Sequence, residues 1–264
     1  MPIGLAPWSI RHHVHSKAHV EDAYKKLGEM GFNGLEGGIA RGQGFTIDEE
    51  KELLAKNNLV LLDMYADAEK PDEAMKLAEA YGTKTICVGN MPVNMWMSSD
   101  GFKAYCEKLN KTAKPFADAG FKLSYHNHSQ EFRNFADLNG KAGYEILIEE
   151  TDPKGVVFCL DTFWAAAAGA DPAYWLRRLK GRTEIVHFKD LAINERSDDL
   201  GVGSIPWRFA EVGQGNLNWQ AIVEACREIG IVWYCIEQDL HRDGNAFESI
   251  KKSIGFMRNE LGIK

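Results

Sequence analysis

Two kinds of segment alternate along the chain. Short runs rich in Val, Ile, Leu, Phe and Tyr lie near 2–9, 33–37, 59–65, 84–90, 121–128, 155–163, 183–190 and 232–239. Their length and composition are those of buried strands. Between them are polar stretches with apolar residues at helical spacing. In the first, Val20, Ala23, Tyr24, Leu27 and Met30 share one stripe and Gly31 follows as a stop. The same pattern predicts helices over 47–57, 71–81, 99–119, 137–150, 171–180, 217–229 and 245–260. Asp171-Pro172 supplies a cap followed by a first-turn proline. Pro71-Asp72-Glu73 places acids in a first turn.

The result is eight strand–helix units of about 30 residues each, with no compositional break that marks a linker. Alternation of this kind implies a parallel sheet, because parallel strands need crossovers. Eight units in 264 residues fit an α/β fold, a closed (β/α)8 TIM barrel spanning 1–264 as a single domain. An open doubly wound sheet would call for a glycine-rich turn after the first strand. Trp8-Ser9-Ile10-Arg11-His12-His13 stands there instead.

Composition sharpens this picture. A hydrophobic content of 45% with seven Trp and thirteen Phe is ample for a large core. No run approaches the roughly 18 apolar residues of a membrane span. Met1-Pro2-Ile3-Gly4-Leu5 enters a strand-like run with no basic region or cleavage pattern, so a cytoplasmic location is expected. Cys87, Cys106, Cys159, Cys226 and Cys235 are odd in number and form no Cys-x-x-Cys pair, and read as buried reduced thiols. A net charge of −7 without Lys/Arg blocks argues against nucleic acid or an anionic membrane as the main partner. The apolar loop Met91-Pro92-Val93-Asn94-Met95-Trp96-Met97 reads either as a subunit contact in a homo-oligomer or as a pocket wall.

In such a barrel the active site forms at the C-terminal ends of the strands. The second strand ends in Glu36, and the fifth in His126, Asn127 and His128, with Glu131 just beyond. The sixth delivers Asp161, the seventh His187 and Lys189, and the eighth Glu237 and Asp239. Residues two apart share a strand face, so His126 and His128 point one way and Asn127 the other. Singly, each has a plainer explanation: a helix cap, a hydrogen-bonded histidine, a rim ion pair. Four consecutive strands ending this way would set metal-competent side chains around one mouth. Glu131, Asp161, His187 and Glu237 give three carboxylates and one imidazole, with His126 or His128 as the alternative from the fifth strand. That shell suits Mn²⁺ foremost, or Co²⁺ and Mg²⁺, with Zn²⁺ also compatible.

The same residues carry a resemblance. The chain resembles the sugar phosphate isomerase/epimerase group of xylose-isomerase-like barrels, which includes tagatose 3-epimerase-type enzymes and inosose dehydratase. The likeness runs from Ile3-Gly4-Leu5-Ala6-Pro7-Trp8 and Met30-Gly31-Phe32-Asn33-Gly34-Leu35-Glu36 through Tyr125-His126-Asn127-His128-x-x-Glu131-Phe132. It continues in Leu160-Asp161-Thr162-x-Trp164-Ala165, Val186-His187-Phe188-Lys189-Asp190, Glu211-Val212-Gly213-Gln214-Gly215 and Trp233-Tyr234-Cys235-Ile236-Glu237-Gln238-Asp239. It implies one divalent metal on Glu131, Asp161, His187 and Glu237. It also implies proton abstraction α to a sugar carbonyl through a metal-stabilised enediolate. The acid–base candidates are then Glu131, Glu237 and His128. Lys189 would serve the oxyanion, its charged form disfavoured by burial.

Trp8 and Trp164 are candidates to stack on a sugar, set against ordinary core packing. His126 and Glu211 join them as substrate-binding candidates, while Arg11 could reach an anionic group but reads first as a solvated charge, and Glu36 could hydrogen-bond a hydroxyl or cap the rim. The long segment 191–215, with Asp198, Asp199, Gly201 and Gly203, has the length of a lid. Amides of Gly213 and Gly215 could meet a phosphate, but no basic cluster accompanies them, which favours an unphosphorylated keto-sugar or keto-glycoside. A dehydratase or lyase acting on a 3-keto glycoside or cyclitol would use the same site. An endonuclease IV-like reading would need more histidine ligands and a basic groove. A silent sugar-binding barrel would not need the ligand set.

Overall fold

The structure, a computed structural model, describes residues 1–89, 91–193, 207–241 and 244–263. The first strand, Ile3–Leu5, lies between the second, Gly34–Leu35, and the eighth, Trp233–Ile236, and is parallel to both. From the eighth the sheet continues through the seventh, Thr183–Phe188, the sixth, Val156–Asp161, and the fifth, Lys122–His126, to the fourth, Thr85–Val88. The third strand is in two pieces. Val60–Leu61 pairs with the second strand and Met64–Tyr65 with the fourth, and through them the ring comes round. Nine parallel segments thus make the eight strands of a TIM barrel.

Helices cover the outside: α1 (Lys17–Met30), α2 (Ile47–Lys56), α3 (Pro71–Tyr81), α4 (Ser99–Asp118), α5 (Gly143–Glu150), α6 (Thr162–Ala167), α7 (Pro172–Arg178), α8 (Trp219–Ile229) and α9 (Ala246–Asn259). Their ends follow local chemistry. Ser16, Ser98, Asn218 and Asn245 cap N-termini, Thr46 and Glu49 form a capping box, and Gly31, Gly82 and Gly230 close C-termini in the left-handed conformation. No helix among the described residues is long and apolar enough to cross a membrane.

Three elements depart from the hydropathy pattern. The first strand stops at Leu5, because Pro7 removes a ladder donor and starts a 3-10 turn, Pro7–His13, that carries Trp8. The sixth strand stops at Asp161, which caps the unforeseen α6. The helix expected from 137 begins only at Gly143, after a small antiparallel pair, Asn134–Phe135 with Lys141–Ala142. Beyond the seventh strand, Asp190–Ile193 pairs antiparallel with Trp207–Ala210. The residues Asp198, Asp199, Gly201 and Gly203 of the expected lid lie outside the described residues.

Two apolar layers hold the barrel. The larger lies between strands and helices and takes the outward side chains, such as Tyr125, Phe158, Leu160, Val186, Phe188 and Tyr234. The smaller plugs the interior with Ala6, Leu62, Cys159, Ile185 and Cys235. Leu62 reaches into space left by Gly4 and Gly34, where an added Cβ would lie 2.7 and 2.6 Å from its methyl groups. All five cysteines are buried and free.

Candidate active site

Two residues beyond the interior plug, the same inward face becomes polar. Cys159 is followed by Asp161, Ile185 by His187 and Lys189, Cys235 by Glu237, and Gly34 by Glu36. The strand period alone therefore turns five polar groups inward above an apolar floor. His126 joins them from the end of the fifth strand.

The atoms of His126, Asp161, His187 and Glu237 that could ligate a metal ion all lie within 4.8 Å of one another. His126 Nε2 is 3.3 Å from Asp161 Oδ2 and 3.9 Å from Glu237 Oε2. His187 Nδ1 is 3.0 Å from Glu237 Oε2 and 3.9 Å from Asp161 Oδ2. The other nitrogen of His187, Nε2, meets both oxygens of Glu36 at 3.0 and 2.8 Å.

Lys189 reaches the same carboxylates. Its Nζ is 2.9 Å from Asp161 Oδ2, 2.7 Å from Glu237 Oε2 and 2.7 Å from Asp239 Oδ2. Burial works against the ammonium, but Asp161, Glu237 and Asp239 together push its pKa far up. The expectation that burial would disfavour the charged form is thus reversed by three carboxylates. Burial likewise opposes charge on Glu237, yet Lys189 and His187 hold its carboxyl well below the usual range. Asp161, buried and beside Lys189 and His126, is also lowered.

Neighbours fix these side chains. Asn127 Oδ1 accepts from the Asp161 backbone N–H at 3.0 Å, the role of the fifth-strand residue that points away from the histidines. The Thr162 hydroxyl accepts from Lys189 N–H at 3.1 Å and donates to the Lys189 carbonyl at 2.8 Å, tying the sixth strand's end to the seventh.

The cluster opens into a cavity of about 680 Å³. Trp8, Arg11, Ile39, Tyr65, Val88 and Trp164 form much of its wall, with His126, His128, His187, Lys189, Glu237 and Asp239. Burial, then the neighbouring His126, pushes the His128 pKa down to about 4, so its ring is neutral at pH 7. Its Nδ1 is buried without a hydrogen-bond partner among the described residues.

Of the residues singled out from sequence, the structure brings His187, Glu237, His128, Lys189, Trp8, His126 and Trp164 to the wall of this one cavity, with Asp161 in the cluster beneath it. Glu131 is elsewhere. Tyr125 Oη donates to its Oε1 at 2.5 Å and the His128 backbone N–H to its Oε2 at 2.9 Å, which draws the carboxylate into the outer layer. The cluster contains His126 instead, so its candidate donors among the described residues are two imidazoles and two carboxylates. Glu211 is buried and outside the cavity lining. The amides of Gly213 and Gly215, considered above for a phosphate, donate instead to Asp190 Oδ2 at 2.9 and 3.0 Å.

Sequence reasoning gave Glu36 a hydroxyl partner or a place capping the rim, and did not single out Asp63 or Tyr65. An acid inside the apolar run Leu61-Leu62-Asp63-Met64 was the available signal. Burial, then Glu36, raises the Asp63 pKa.

Comparison with known proteins agrees with this architecture. The chain is 23% identical over 273 residues to the inosose dehydratase of Mesomycoplasma hyopneumoniae (strain J), covering 90% of this chain and 88% of that one. The inosose dehydratases of Mesomycoplasma hyopneumoniae (strain 7448) and Lacticaseibacillus casei match at 25% and 28% identity over 56% and 53% of their length. A sugar phosphate isomerase/epimerase from Parabacteroides distasonis ATCC 8503 superposes with a TM-score of 0.78 at 22% identity, covering 100% of this chain and 95% of the other. A probable 3-DHS dehydratase from Bacillus anthracis does so with a TM-score of 0.72 at 20% identity, over 98% and 100%. The family model described as "Xylose isomerase-like TIM barrel" matches residues 24–260, and the chain belongs to that family.

Proposed function

We propose that the chain is a divalent-metal-dependent isomerase or epimerase of an unphosphorylated keto-sugar or keto-glycoside, built as one barrel domain over 1–264. The observation that carries this reading is the buried cluster of His126, Asp161, His187 and Glu237 at the foot of a cavity.

The donor set fits an ion. Contacts of 3.0–3.9 Å between imidazole and carboxylate atoms are near the about 3.0–3.5 Å that separates ligands of one ion bound at 2.0–2.2 Å. Two nitrogens and two oxygens suit Mn²⁺, Co²⁺ or Zn²⁺, and suit oxygen-seeking Mg²⁺ less. When bound, such an ion would polarise a sugar carbonyl and lower the cost of negative charge beside it.

The protein's own groups supply the rest. The ionised carboxylate of Glu237 and the neutral ring of His128 are the groups able to take a proton from a carbon held in the cavity. Lys189, kept as an ammonium, donates to the oxygen that gains negative charge. Trp8 and Trp164 offer apolar faces to the C–H side of a sugar ring. Asp190's hold on the two glycine amides supports an unphosphorylated substrate.

The dehydratase relatives favour a second reading in which the same proton abstraction ends in loss of an oxygen substituent β to the carbanion. One experiment separates the two. Metal-loaded protein is incubated in D2O with ketoses, 3-keto glycosides and cyclitol ketones and followed by NMR. Deuterium at one α-carbon with a new stereoisomer or a shifted carbonyl supports isomerisation. An unsaturated ketone supports elimination. No exchange and no turnover across the panel contradicts both.

A further inference from the structure

His187 is buried between two carboxylates, one facing each ring nitrogen. Nδ1 looks into the ligand cluster, whereas Nε2 meets Glu36 at both oxygens. Both oxygens of Glu36 face Nε2, the arrangement of a carboxylate that accepts a ring N–H, whereas the carboxylate at Nδ1 belongs to the cluster, where an ion would take the place of a proton.

Glu36 is held where it is. Its backbone N–H donates to Leu5 O at 3.1 Å, and the Tyr65 hydroxyl donates to its Oε2 at 3.4 Å. The chain then turns through Gly37 and Gly38 at φ +63° and +68°, and a Cβ on Gly37 would lie 1.8 Å from the Tyr65 ring. Asp63 Oδ1 accepts the Gly37 N–H at 3.0 Å. Glu36 is buried behind His187 and lies outside the cavity lining, so it does not reach a substrate there.

We propose that Glu36 is a positioning residue: by taking the Nε2 proton it commits the Nδ1 lone pair of His187 to the cluster with His126, Asp161 and Glu237. The proposal rests on the divalent-ion reading above. It also closes the other grouping open to His187, that with Glu36 and Cys235, to a cation.

The test uses protein labelled with ¹⁵N at histidine and loaded with Zn²⁺. NMR reads the ring protons, with His187 assigned from His187→Gln, and calorimetry reads Zn²⁺ affinity. In the unaltered protein His187 is expected to carry an exchange-protected proton on Nε2. Glu36→Leu is expected to lose that protection and to weaken Zn²⁺ binding by about 10–100-fold, the range for lost partners behind metal-bound histidines. A proton on Nδ1 of the unaltered protein would overturn the proposal, without needing any variant to fold. Equal Zn²⁺ affinity in Glu36→Leu with the Nε2 proton still protected would overturn it too, leaving the ion site standing. Unaltered protein that takes up no ion would remove the divalent-ion reading and this proposal with it.

Discussion

Asp161 divides its two oxygens between folding and chemistry. Oδ1 caps α6 through the Trp164 N–H at 2.9 Å, while Oδ2 belongs to the ligand cluster. Asp161→Asn keeps an oxygen for the cap and Asp161→Ala does not. Both variants are expected to lose the ion, but Ala should cost about 1 kcal/mol more in denaturant unfolding of the metal-free protein. Lys189 faces three carboxylates, so Lys189→Met would leave their charge buried and unpaired. A loss of about 3–5 kcal/mol is expected in chelator, partly recovered on adding Mn²⁺. Glu131 offers a pH test. Burial raises its pKa above the unfolded value, so its contribution is complete below that value and is lost as pH rises through the folded pKa. Glu131→Gln cannot ionise. Its stability relative to the unaltered protein should therefore improve from about pH 4 upward, followed as Tm across a pH series. A constant difference would show that burial does not govern this carboxyl.

At the scale of elements, the turn after the antiparallel ribbon is organised by one side chain. Asp190 accepts from the N–H groups of Leu191, Gly213, Gly215 and Leu217 and from the Trp219 indole. Asp190→Ala is expected to cost about 3 kcal/mol or more, and Asp190→Asn less, in the same unfolding assay. Gly215→Ala would set a Cβ 2.3 Å from Asp190 Oδ1, and should cost about 1–3 kcal/mol. Elements with strong local signals were legible in the sequence: the α1 stripe with its Gly31 stop, and the Asp171-Pro172 start of α7. Those decided by competition were not. Pro7 and Asp161 end strands inside apolar runs, and the third strand divides where Leu62 turns into the interior plug.

For the whole molecule, strand alternation told more about the site than any single motif. It put Asp161, His187, Lys189 and Glu237 on one inward face because each follows an inward-facing residue of its strand by an even number of positions. It could not choose between His126 and Glu131. Tyr125, whose outward ring carries a hydroxyl to the Glu131 carboxylate, holds Glu131 apart from the cluster that contains His126. Nor could spacing join Glu36 to His187, which are 151 positions apart and meet only when the ring closes. The central claim is that His126, Asp161, His187 and Glu237 hold one divalent ion. Metal content of purified protein tests it most directly, comparing the unaltered chain with His126→Ala and Glu131→Gln. One equivalent is expected in the unaltered protein and in Glu131→Gln, with loss in His126→Ala. No ion in the unaltered protein, or an ion lost from Glu131→Gln and kept by His126→Ala, would contradict it.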